Sequence, residues 1–506
     1  RCCLPNAWPP TSNRSFIDRI TDWAEQYYRF LFVLGMGLVI FLCFYRLSVH
    51  YVVSWDEARF GINAYEMLKS GNFIMNTFRY EPDYWNLKPP LSMWGTALSF
   101  LIFGYNKLGL RAFSAACYVV LTAVAARFVE KRFGKLQALL TILFLCANTA
   151  CFSFHMIRSG DSDSLYLLFY TLSMLCMLMI RERPRMLYGA GFFFACAFLT
   201  KSWHAGTIVF VGFFFLLLTG EIKTLKGKRL LAFLASFLIP MGLWAILRFT
   251  QDGTEFFKEM IFYELLTSSQ EAIENHQQEF LFYVKNYFVT TWRQYIYLAA
   301  LLIGGAGLIG YRKRLKEEGR SYLAVGFFLW ALMPILWFSI AATKLIWYSY
   351  ATLIPILIGA GIVAGTAVRD RNISAGLRTA AFVGVLVLTG YFIAGNVQNI
   401  RAEYGNDFHD FFAEANEAAS DYAGTQMYLG ADGDFGYGNW SQNTSFLAEI
   451  DGDHVCMDGG VEAFVQTKEP AVLVTNRDYY AQYADVLMDK TVVYENEKYL
   501  YISNDL

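Results

Sequence analysis

Eleven apolar runs dominate this chain of 506 residues, and each is about as long as a helix that crosses a lipid bilayer. Such a helix needs about 20 mostly apolar residues to cross about 30 Å of hydrocarbon. Only 17% of the residues are charged, whereas soluble domains are nearer a quarter charged. The pattern predicts a polytopic α-helical membrane protein. The predicted crossings are 29–49, 110–130, 136–157, 164–180, 186–200, 204–220, 229–249, 293–311, 321–341, 345–367 and 376–397.

The segment 91–105 is apolar but short, and whether it crosses decides the orientation of all that follows. Five basic loops come after it, and the cytoplasmic loops of membrane proteins are rich in Lys and Arg. If 91–105 does not cross, all five loops lie on one side together with the basic N-terminal segment. We therefore predict an interfacial or re-entrant helix at 91–105, and 11 to 13 transmembrane helices depending on how interfacial pieces are counted. The five loops are 130–135, 181–185, 223–229, 311–320 and 368–372.

The same topology divides the chain into three parts. Residues 1–28 form a cytoplasmic segment, 29–397 a transmembrane domain, and 398–506 a second domain outside the membrane, where hydropathy drops. In that last part "AVLVTNRDYYAQYADVL" indicates a buried strand, a turn and a helix, and "KTVVYENEKYLYISN" indicates two short strands. The sequence therefore predicts a small extracytoplasmic α/β domain on a prokaryotic plasma (inner) membrane protein, periplasmic or extracellular in location. The larger outer loops are 50–109, 158–163 and 250–292.

Charge and cysteine content argue against two kinds of protein. The formal net charge is −1, which predicts no nucleic-acid partner. Most of the nine cysteines lie inside apolar runs, and no Cys-x-x-Cys pattern occurs. We therefore predict no disulfide framework.

Charged side chains gather in the predicted outer loops, where desolvation is costly and ionisable residues tend to mark function. "SWDEARF" places Asp56, Glu57 and Arg59 directly after the first crossing, and "LKPPLSMW" sets Lys88 before two prolines that stiffen the turn. A helix N-cap at Asp56 and a snorkelling lysine are the structural alternatives. Cations at this face suit a phosphate, and a neighbouring carboxylate suits a general base. Later outer loops add Arg158, Asp161, Asp163, Lys201, His204, His276 and Lys344.

The pattern "DEARFGINAYEMLKSGNF…KPPLSMWGTALSFLIFG…LGLRAFSA" resembles the first extracytoplasmic loop of the ArnT-like and protein-O-mannosyltransferase glycosyltransferases, which have the GT-C fold. "RSGDSDSL" is similar to the family's second acidic loop, and "TKLIWYSYATLIPIL" is similar to its K-x-x-W-Y…P segment. "FYELLTSSQEAIENHQQEFLFYV" is similar to its later outer loop with a histidine. The resemblance covers most of the chain, and the first loop is its most specific part.

The resemblance implies transfer of a sugar from a polyprenyl-phosphate carrier, such as undecaprenyl phosphate, to an acceptor on the outer face. The acceptor would be a lipid (lipid A-like) or a protein, and the anomeric centre would be inverted. Asp56 would be the general base, Asp163 the second-loop aspartate, and Glu57 a further catalytic candidate. Donor-phosphate ligands would be Lys88, Arg59, Lys344 and Tyr348, and further site candidates are Arg158, Asp161, Lys201 and His276.

One position departs from the family pattern. Relatives closest to the aminoarabinose transferases carry an acidic residue, associated with a metal, immediately before the lysine of K-P-P. Leu87 occupies this position here. No cofactor is therefore assigned, although a divalent metal with His276 as a ligand is a candidate. The departure also puts transfer of aminoarabinose in doubt.

Three other functions fit parts of the sequence. A secondary transporter would place its charges near the bilayer midplane, often with internal repeats, whereas these charges cluster at one face and no repeat is apparent. A structural or assembly protein would need fewer crossings for anchorage. An oligosaccharyltransferase of the same fold class would carry a W-W-D-x-G-like motif in its outer domain, and "GNWSQN" is not one.

Overall fold

Helices make up most of the chain up to residue 401. The structure is a computed structural model, and it describes residues 14–53, 55–152, 155–267, 278–402, 405–433, 436–437 and 439–504. A two-stranded hairpin, β1 (Thr77–Phe78) and β2 (Glu81–Pro82), follows the third helix. The helices are α1 Phe16–Gln26, α2 Tyr28–Phe44, α3 Asp56–Ser70, α4 Leu91–Phe103, α5 Lys107–Arg132, α6 Lys135–Cys146, α7 Asp163–Leu178, α8 Met186–Lys201, α9 Gly206–Leu218, α10 Gly227–Asp252, α11 Glu255–Glu259, α12 Phe282–Phe288, α13 Tyr295–Glu317, α14 Ser321–Ile340, α15 Leu353–Arg369 and α16 Ala375–Arg401.

Fewer helices pass a test of length and composition than the eleven crossings predicted. Within the described residues, seven helices are long and apolar enough to cross a membrane, and the bent pair α1–α2 makes an eighth. Helices α4, α6 and α7 are apolar but shorter. The predicted crossing 136–157 is too long, because its helix ends at Cys146 and the chain continues as irregular structure.

The stretch Met186–Leu218 counts as one of the seven, yet it folds back on itself. Helix α8 ends at Lys201. The next residue, Ser202, has a φ of +52° that breaks the helix, and a 3-10 turn leads into α9. Arg181, just before α8, lies 3.2 Å from the Glu221 carboxylate and donates to the Thr219 carbonyl after α9. The far end of α9 therefore lies beside the start of α8. This geometry agrees with the two separate crossings predicted for 186–200 and 204–220.

Ion pairs and hydrogen bonds gather the basic loops at one end of the helix bundle, which we call the basic end. The loops after α5, α7, α9 and α15 and the N-terminal helix α1 all meet there. This arrangement matches the expectation that 91–105 leaves the five basic loops on one side. The contacts are Arg132–Glu182, Arg181–Glu221, Tyr322–Glu182, Arg369–Glu25 and Arg378–Asp18.

The opposite end of the bundle, which we call the site end, carries α3, the β1–β2 hairpin and a C-terminal domain. That domain contains a five-stranded mixed sheet of order β6-β3-β7-β9-β8, in which β7 runs parallel to β3 and antiparallel to β9. The small C-terminal α/β domain expected from the sequence is thus present. Its elements are α17 Asp407–Ala418, β3 Gln426–Gly430, β4 Asp432–Gly433, β5 Gly436–Tyr437, α18 Gln442–Phe446, β6 Val455–Met457, α19 Gly460–Gln466, β7 Ala471–Asn476, α20 Arg477–Gln482, α21 Ala484–Leu487, β8 Thr491–Glu495 and β9 Tyr499–Ser503.

The C-terminal domain packs on α3, the helix that begins at Asp56. A Cβ atom on Gly61 would lie 2.9 Å from the Phe446 ring, so the two elements touch through this glycine. The Tyr65 hydroxyl donates to the Asp453 carboxylate at 2.9 Å. The position of α3 is therefore coupled to the domain above it.

Two carboxyl groups are buried where the domain meets α3. Burial raises the pKa of Glu66, on α3, to about 7. Burial and the nearby Glu66 carboxyl raise the pKa of Glu449, in the domain, to about 8. Among the described residues, one oxygen of each group has no hydrogen-bond partner. Both groups therefore favour the protonated state in the docked structure.

These raised pKa values predict that docking weakens as pH rises. The two protonated carboxyl groups contribute fully to the stability of docking below their ordinary pKa of 4.5. This contribution is lost as pH rises through about 7 for Glu66 and about 8 for Glu449. We expect Glu449→Gln, which cannot ionise, to flatten this dependence, and the exposed Glu469→Gln to leave it unchanged. Limited proteolysis of the full chain during heating, at a series of pH values, measures it. An equally steep dependence in Glu449→Gln would contradict the assignment.

Candidate active site

The centre of the site is a histidine that joins two aspartates from different loops. His155 lies in the irregular segment after α6, and its Nδ1 atom is 2.9 Å from Asp161 Oδ2 and 3.7 Å from Asp56 Oδ2. Asp56 is the first residue of α3. The N-cap position is held by Trp55, so Asp56 is not the N-cap that the sequence offered as the structural alternative. The geometry brings the first and second outer loops to one point.

The pKa values of the two aspartates are shifted in opposite directions. Burial and the Asp161 carboxylate raise the pKa of Asp56 above its ordinary value, against the opposing charges of His155, Lys201 and Lys88. Burial acts in the same direction on Asp161, but His155 and the Ser159 hydroxyl outweigh it and hold the pKa of Asp161 below its ordinary value. Carboxyl pairs whose pKa values are pushed apart serve as distinct acids and bases. Asp56 is therefore the better proton acceptor near neutral pH.

His155 stays protonated between these carboxylates. Burial lowers its pKa, but Asp161 and Asp56 outweigh burial and raise it to about 9. The imidazole also stacks on the Trp347 indole, with ring centroids 3.8 Å apart and planes 15° apart. Trp347 belongs to the segment "TKLIWY", so a third outer loop forms a wall of the site.

Asp163 and Lys201 form a buried ion pair beside this centre. The Lys201 ammonium lies 5.6 Å from the centre of the Tyr348 ring, and Tyr348 packs edge-on against His204 at 4.5 Å. The resemblance matched Asp163 to the family's second-loop aspartate. In the structure His155 contacts both Asp161 and Asp56. Asp163 instead forms an ion pair with Lys201.

Lys88 lies near Asp56 and is paired with a glutamate from a later loop. Its ammonium contacts the Glu264 carboxylate, which also accepts a hydrogen bond from the Ser202 hydroxyl at 2.9 Å. The Asn76 amide donates to the Lys88 carbonyl at 3.0 Å and so holds the Pro-Pro turn. The positive charge of Lys88 opposes the rise in the Asp56 pKa, so the two groups share one electrostatic environment.

Glu57 has a structural role. It is 1% exposed, and its carboxylate accepts from Arg111 Nε at 2.5 Å and from Arg111 Nη2 at 2.9 Å. Backbone amides of Val53 and Gly160 donate to it as well. The carboxylate therefore fastens α3, α5 and the second loop together, and its oxygens are engaged in that task rather than in chemistry.

Two of the predicted donor-phosphate ligands are engaged elsewhere. Arg59 donates to Asp83 at 2.7 and 2.8 Å, and its guanidinium lies 3.6 Å from the centre of the Phe78 ring. Lys344 donates to the Ala341 carbonyl at 2.6 Å, and burial lowers its pKa. Arg59 thus fixes the β1–β2 hairpin to α3, whereas Lys344 closes the end of α14.

A cavity of about 370 Å³ opens on the far side of the His155–Asp161 pair. Arg158 lines it and donates to the carbonyls of Leu42, Cys43 and Arg46, at the end of α2. Asp161 Oδ1 is buried and has no hydrogen-bond partner among the described residues. The cavity extends to Asn399 and Ile400, near the start of the C-terminal domain. The cavity therefore connects the region below that domain with Asp161.

The metal implied by the family does not fit the described residues. Leu87 is buried and apolar, so the position before Lys88 offers no ligand. His276 lies outside the described residues. Within the described ranges, no three His, Cys, Asp or Glu residues are grouped so that they could hold a metal ion.

Sequence reasoning missed His155 and Glu264. His155 was placed inside a predicted crossing, although an ionisable residue so close to "RSGDSD" signals a site. Glu264 lies in the outer loop 250–292, where it is one of several acidic residues and no local pattern distinguishes it. Only the path of the chain brings Glu264 to Lys88, because the two are 176 residues apart.

Comparison with known proteins finds sequence relatives over part of the chain. Residues 87–245 match the family model described as dolichyl-phosphate-mannose-protein mannosyltransferase. An uncharacterised protein of Aquifex aeolicus is 31% identical over 235 residues, which is 46% of each chain. The undecaprenyl phosphate-alpha-4-amino-4-deoxy-L-arabinose arabinosyl transferase of Shewanella sediminis is 25% identical over 67% of this chain. The chain thus spans about half of the first relative's length and 61% of the second's.

The fold itself has a solved counterpart. The crystal structure of ArnT from Cupriavidus metallidurans, bound to undecaprenyl phosphate, superposes with a TM-score of 0.65. The match covers 93% of this chain and 97% of that one at 17% identity, so it establishes the shared fold. The chain is therefore similar in sequence to arabinosyl transferases over about two thirds of its length, matches the mannosyltransferase family model over residues 87–245, and shares the fold of ArnT.

Proposed function

We propose that this protein is a glycosyltransferase that moves a sugar from a polyprenyl-phosphate carrier to an acceptor at the site end. The observation that carries the proposal is that His155 joins Asp56 to Asp161, while the positive charge of Lys88 acts on Asp56. A carboxyl with a raised pKa suits a general base, and a nearby ammonium suits a phosphate leaving group. The names of the curated relatives support this substrate class.

The reaction would be a single displacement with inversion. The acceptor hydroxyl attacks the anomeric carbon, a new glycosidic bond forms, and the bond from that carbon to the phosphate oxygen breaks. Asp56 takes the hydroxyl proton, while the bonding electron pair leaves with the polyprenyl phosphate. His155 holds Asp56 and Asp161 together through charge, and Asp161 stays ionised beside the cavity.

Lys88 would stabilise the negative charge that develops on the leaving phosphate. In the structure its ammonium pairs with the Glu264 carboxylate. A donor phosphate must therefore replace the Glu264 carboxylate before it can bind Lys88. The segment Met260–Thr267, which carries Glu264, would move aside as the donor enters.

This exchange predicts an unusual gain in affinity. Glu264→Gln removes the competing negative charge but keeps the shape of the side chain, so the donor should bind several-fold more tightly. Glu255→Gln, an exposed change five residues before this segment, should leave affinity unchanged. Binding of a polyprenyl phosphate to purified protein, followed by intrinsic fluorescence, measures both. Weaker binding in Glu264→Gln would mean that Glu264 helps to hold the donor.

The acceptor would approach the His155–Asp161 pair through the cavity below the C-terminal domain, beside Asp56. The basic end would face the cytoplasm under the positive-inside rule, which places the site end and the domain in the periplasm or outside the cell. The protein would then lie in the plasma (inner) membrane. The acceptor would be a lipid, such as a lipid A-like molecule, or a protein.

Mass spectrometry of outer glycolipids and glycoproteins, in a strain that lacks the gene, tests the function. We expect one sugar substituent to disappear and to return with the wild-type gene but not with Asp56→Asn. The missing sugar would identify both donor and acceptor. An unchanged glycan profile with lost uptake of a solute would instead favour a transporter.

A further inference from the structure

A second cavity, of about 390 Å³, lies away from the proposed active site. It is bounded by α13 and α14, which are joined by a short turn at the basic end, and by α15 behind them. Helices α13 and α14 both pack on α15 but make little contact with each other. The space between them therefore forms a groove that starts at the basic end and runs toward the middle of the bundle.

Glycines make the groove wide. A Cβ atom on Gly304, Gly305 or Gly359 would meet no atom within 4 Å, so these positions border open space. The remaining walls are mostly aliphatic and aromatic, which suits a hydrocarbon chain rather than a polar ligand. The apolar lining includes Leu301, Leu308, Phe327, Phe328, Ile356 and Val363.

The mouth of the groove is positively charged. Arg314 and Arg320 share one carboxylate, Glu318, at 2.8 and 3.4 Å. The whole turn 311–320 carries five cations and two carboxylates, and Asp370 nearby adds only one further negative charge. Basic pockets between transmembrane helices on the cytoplasmic side bind anionic lipid head groups.

The groove is distinct from the donor site. Helix α14 has 20 residues and therefore separates the two ends of the bundle by about 30 Å. A donor whose phosphate lies at Lys88 cannot also place that phosphate at Arg314. The mouth of the groove thus needs a different anionic head group.

We infer that this groove binds an anionic phospholipid of the membrane leaflet at the basic end. One acyl chain lies along the glycine wall, and the phosphate group contacts Arg314 and Arg320. A zwitterionic phospholipid is disfavoured, because its ammonium would approach the same guanidinium groups. The bound lipid fills the gap between α13 and α14, which the protein's own side chains leave open.

Native mass spectrometry of the purified full chain tests the head-group contact. Phosphatidylglycerol should remain bound at concentrations where phosphatidylcholine does not. The double variant Arg314→Ala/Arg320→Ala should lower retention of phosphatidylglycerol about 10-fold. The matched double variant Arg312→Ala/Lys313→Ala removes the same charge from the same turn, outside the groove lining, and should change retention little. Equal losses in both variants, or equal retention of the two lipids, would overturn the proposal.

A second pair of variants tests the contact between the lipid acyl chain and the glycine wall. Gly305→Leu should fill the groove and abolish retention of phosphatidylglycerol. Gly310→Leu, at another glycine of α13 that borders open space but does not line the groove, should not. Elution of each variant as a single species in size-exclusion chromatography shows that it folds. Retention by Gly305→Leu equal to that by Gly310→Leu would overturn the assignment of the acyl chain to this groove.

Discussion

Asp56→Asn is expected to abolish sugar transfer while leaving the fold and donor binding intact. Asn keeps the shape of Asp but cannot accept the acceptor proton, and general-base catalysis contributes about 10²- to 10⁴-fold in rate. We expect a loss in kcat of that size with little change in donor affinity, measured with purified protein and a polyprenyl-phosphate sugar. Near-normal turnover would refute the role of Asp56 as the base.

The chain offers a matched control for this change. Asp407 is also the first residue of a helix, α17, but it is exposed and pairs with Lys498 at the surface of the C-terminal domain. Asp407→Asn removes one carboxylate from an equivalent helix position at the exposed surface of the C-terminal domain. It should keep wild-type kcat, so a loss specific to Asp56→Asn cannot come from the helix terminus alone.

Lys88→Met is expected to weaken donor binding most. The change removes the ammonium that would meet the phosphate but keeps an unbranched apolar stem. Hydrogen bonds to charged groups contribute about 1.5–3 kcal/mol, so affinity for the lipid phosphate should fall about 10- to 100-fold. Titration of the purified protein with a polyprenyl phosphate measures this loss.

Two further variants isolate the cause. Lys88→Met alone leaves the Glu264 carboxylate without its lysine, which costs stability and repels a phosphate. Lys88→Met combined with Glu264→Gln removes that charge, so any remaining loss of affinity reports the missing phosphate contact. Lys69→Met, on the same outer loop but paired with Asp453, should bind the donor normally. Unchanged affinity in the combined variant would count against Lys88 as the phosphate ligand.

Much of the architecture follows from local patterns. Apolar run lengths predict helices because the backbone must satisfy its hydrogen bonds inside lipid. The basic loops indicate their common side, and ion pairs such as Arg132–Glu182 now join them at one end. The strands β7, β8 and β9 appear where alternation and β-branched residues predict them. These features depend on residues that are close together in the sequence, so local patterns predict them.

The candidate site was harder to predict in detail. The first loop contains both Asp56 and Lys88, but the residue types alone do not tell which cation pairs with which carboxylate. Glu57 and Arg59 belong to the same short motif, yet they are paired with Arg111 and Asp83. A sequence assigns such residues to one cluster, whereas each buried charge in the structure takes the partner within reach.

The sequence by itself determined that this chain is a multi-span helical membrane protein, with one charged face and a small α/β domain at its end. Hydrophobic burial and the positive-inside bias act through composition and length, which sequence records directly. Only the tertiary structure decided that helix α6 stops at Cys146, that His155 joins Asp56 to Asp161, and that Glu264 holds Lys88. Those pairings join loops that are far apart in the sequence but a few ångströms apart in space. The strength of a charge interaction depends on the distance between the groups and not on their order in the sequence.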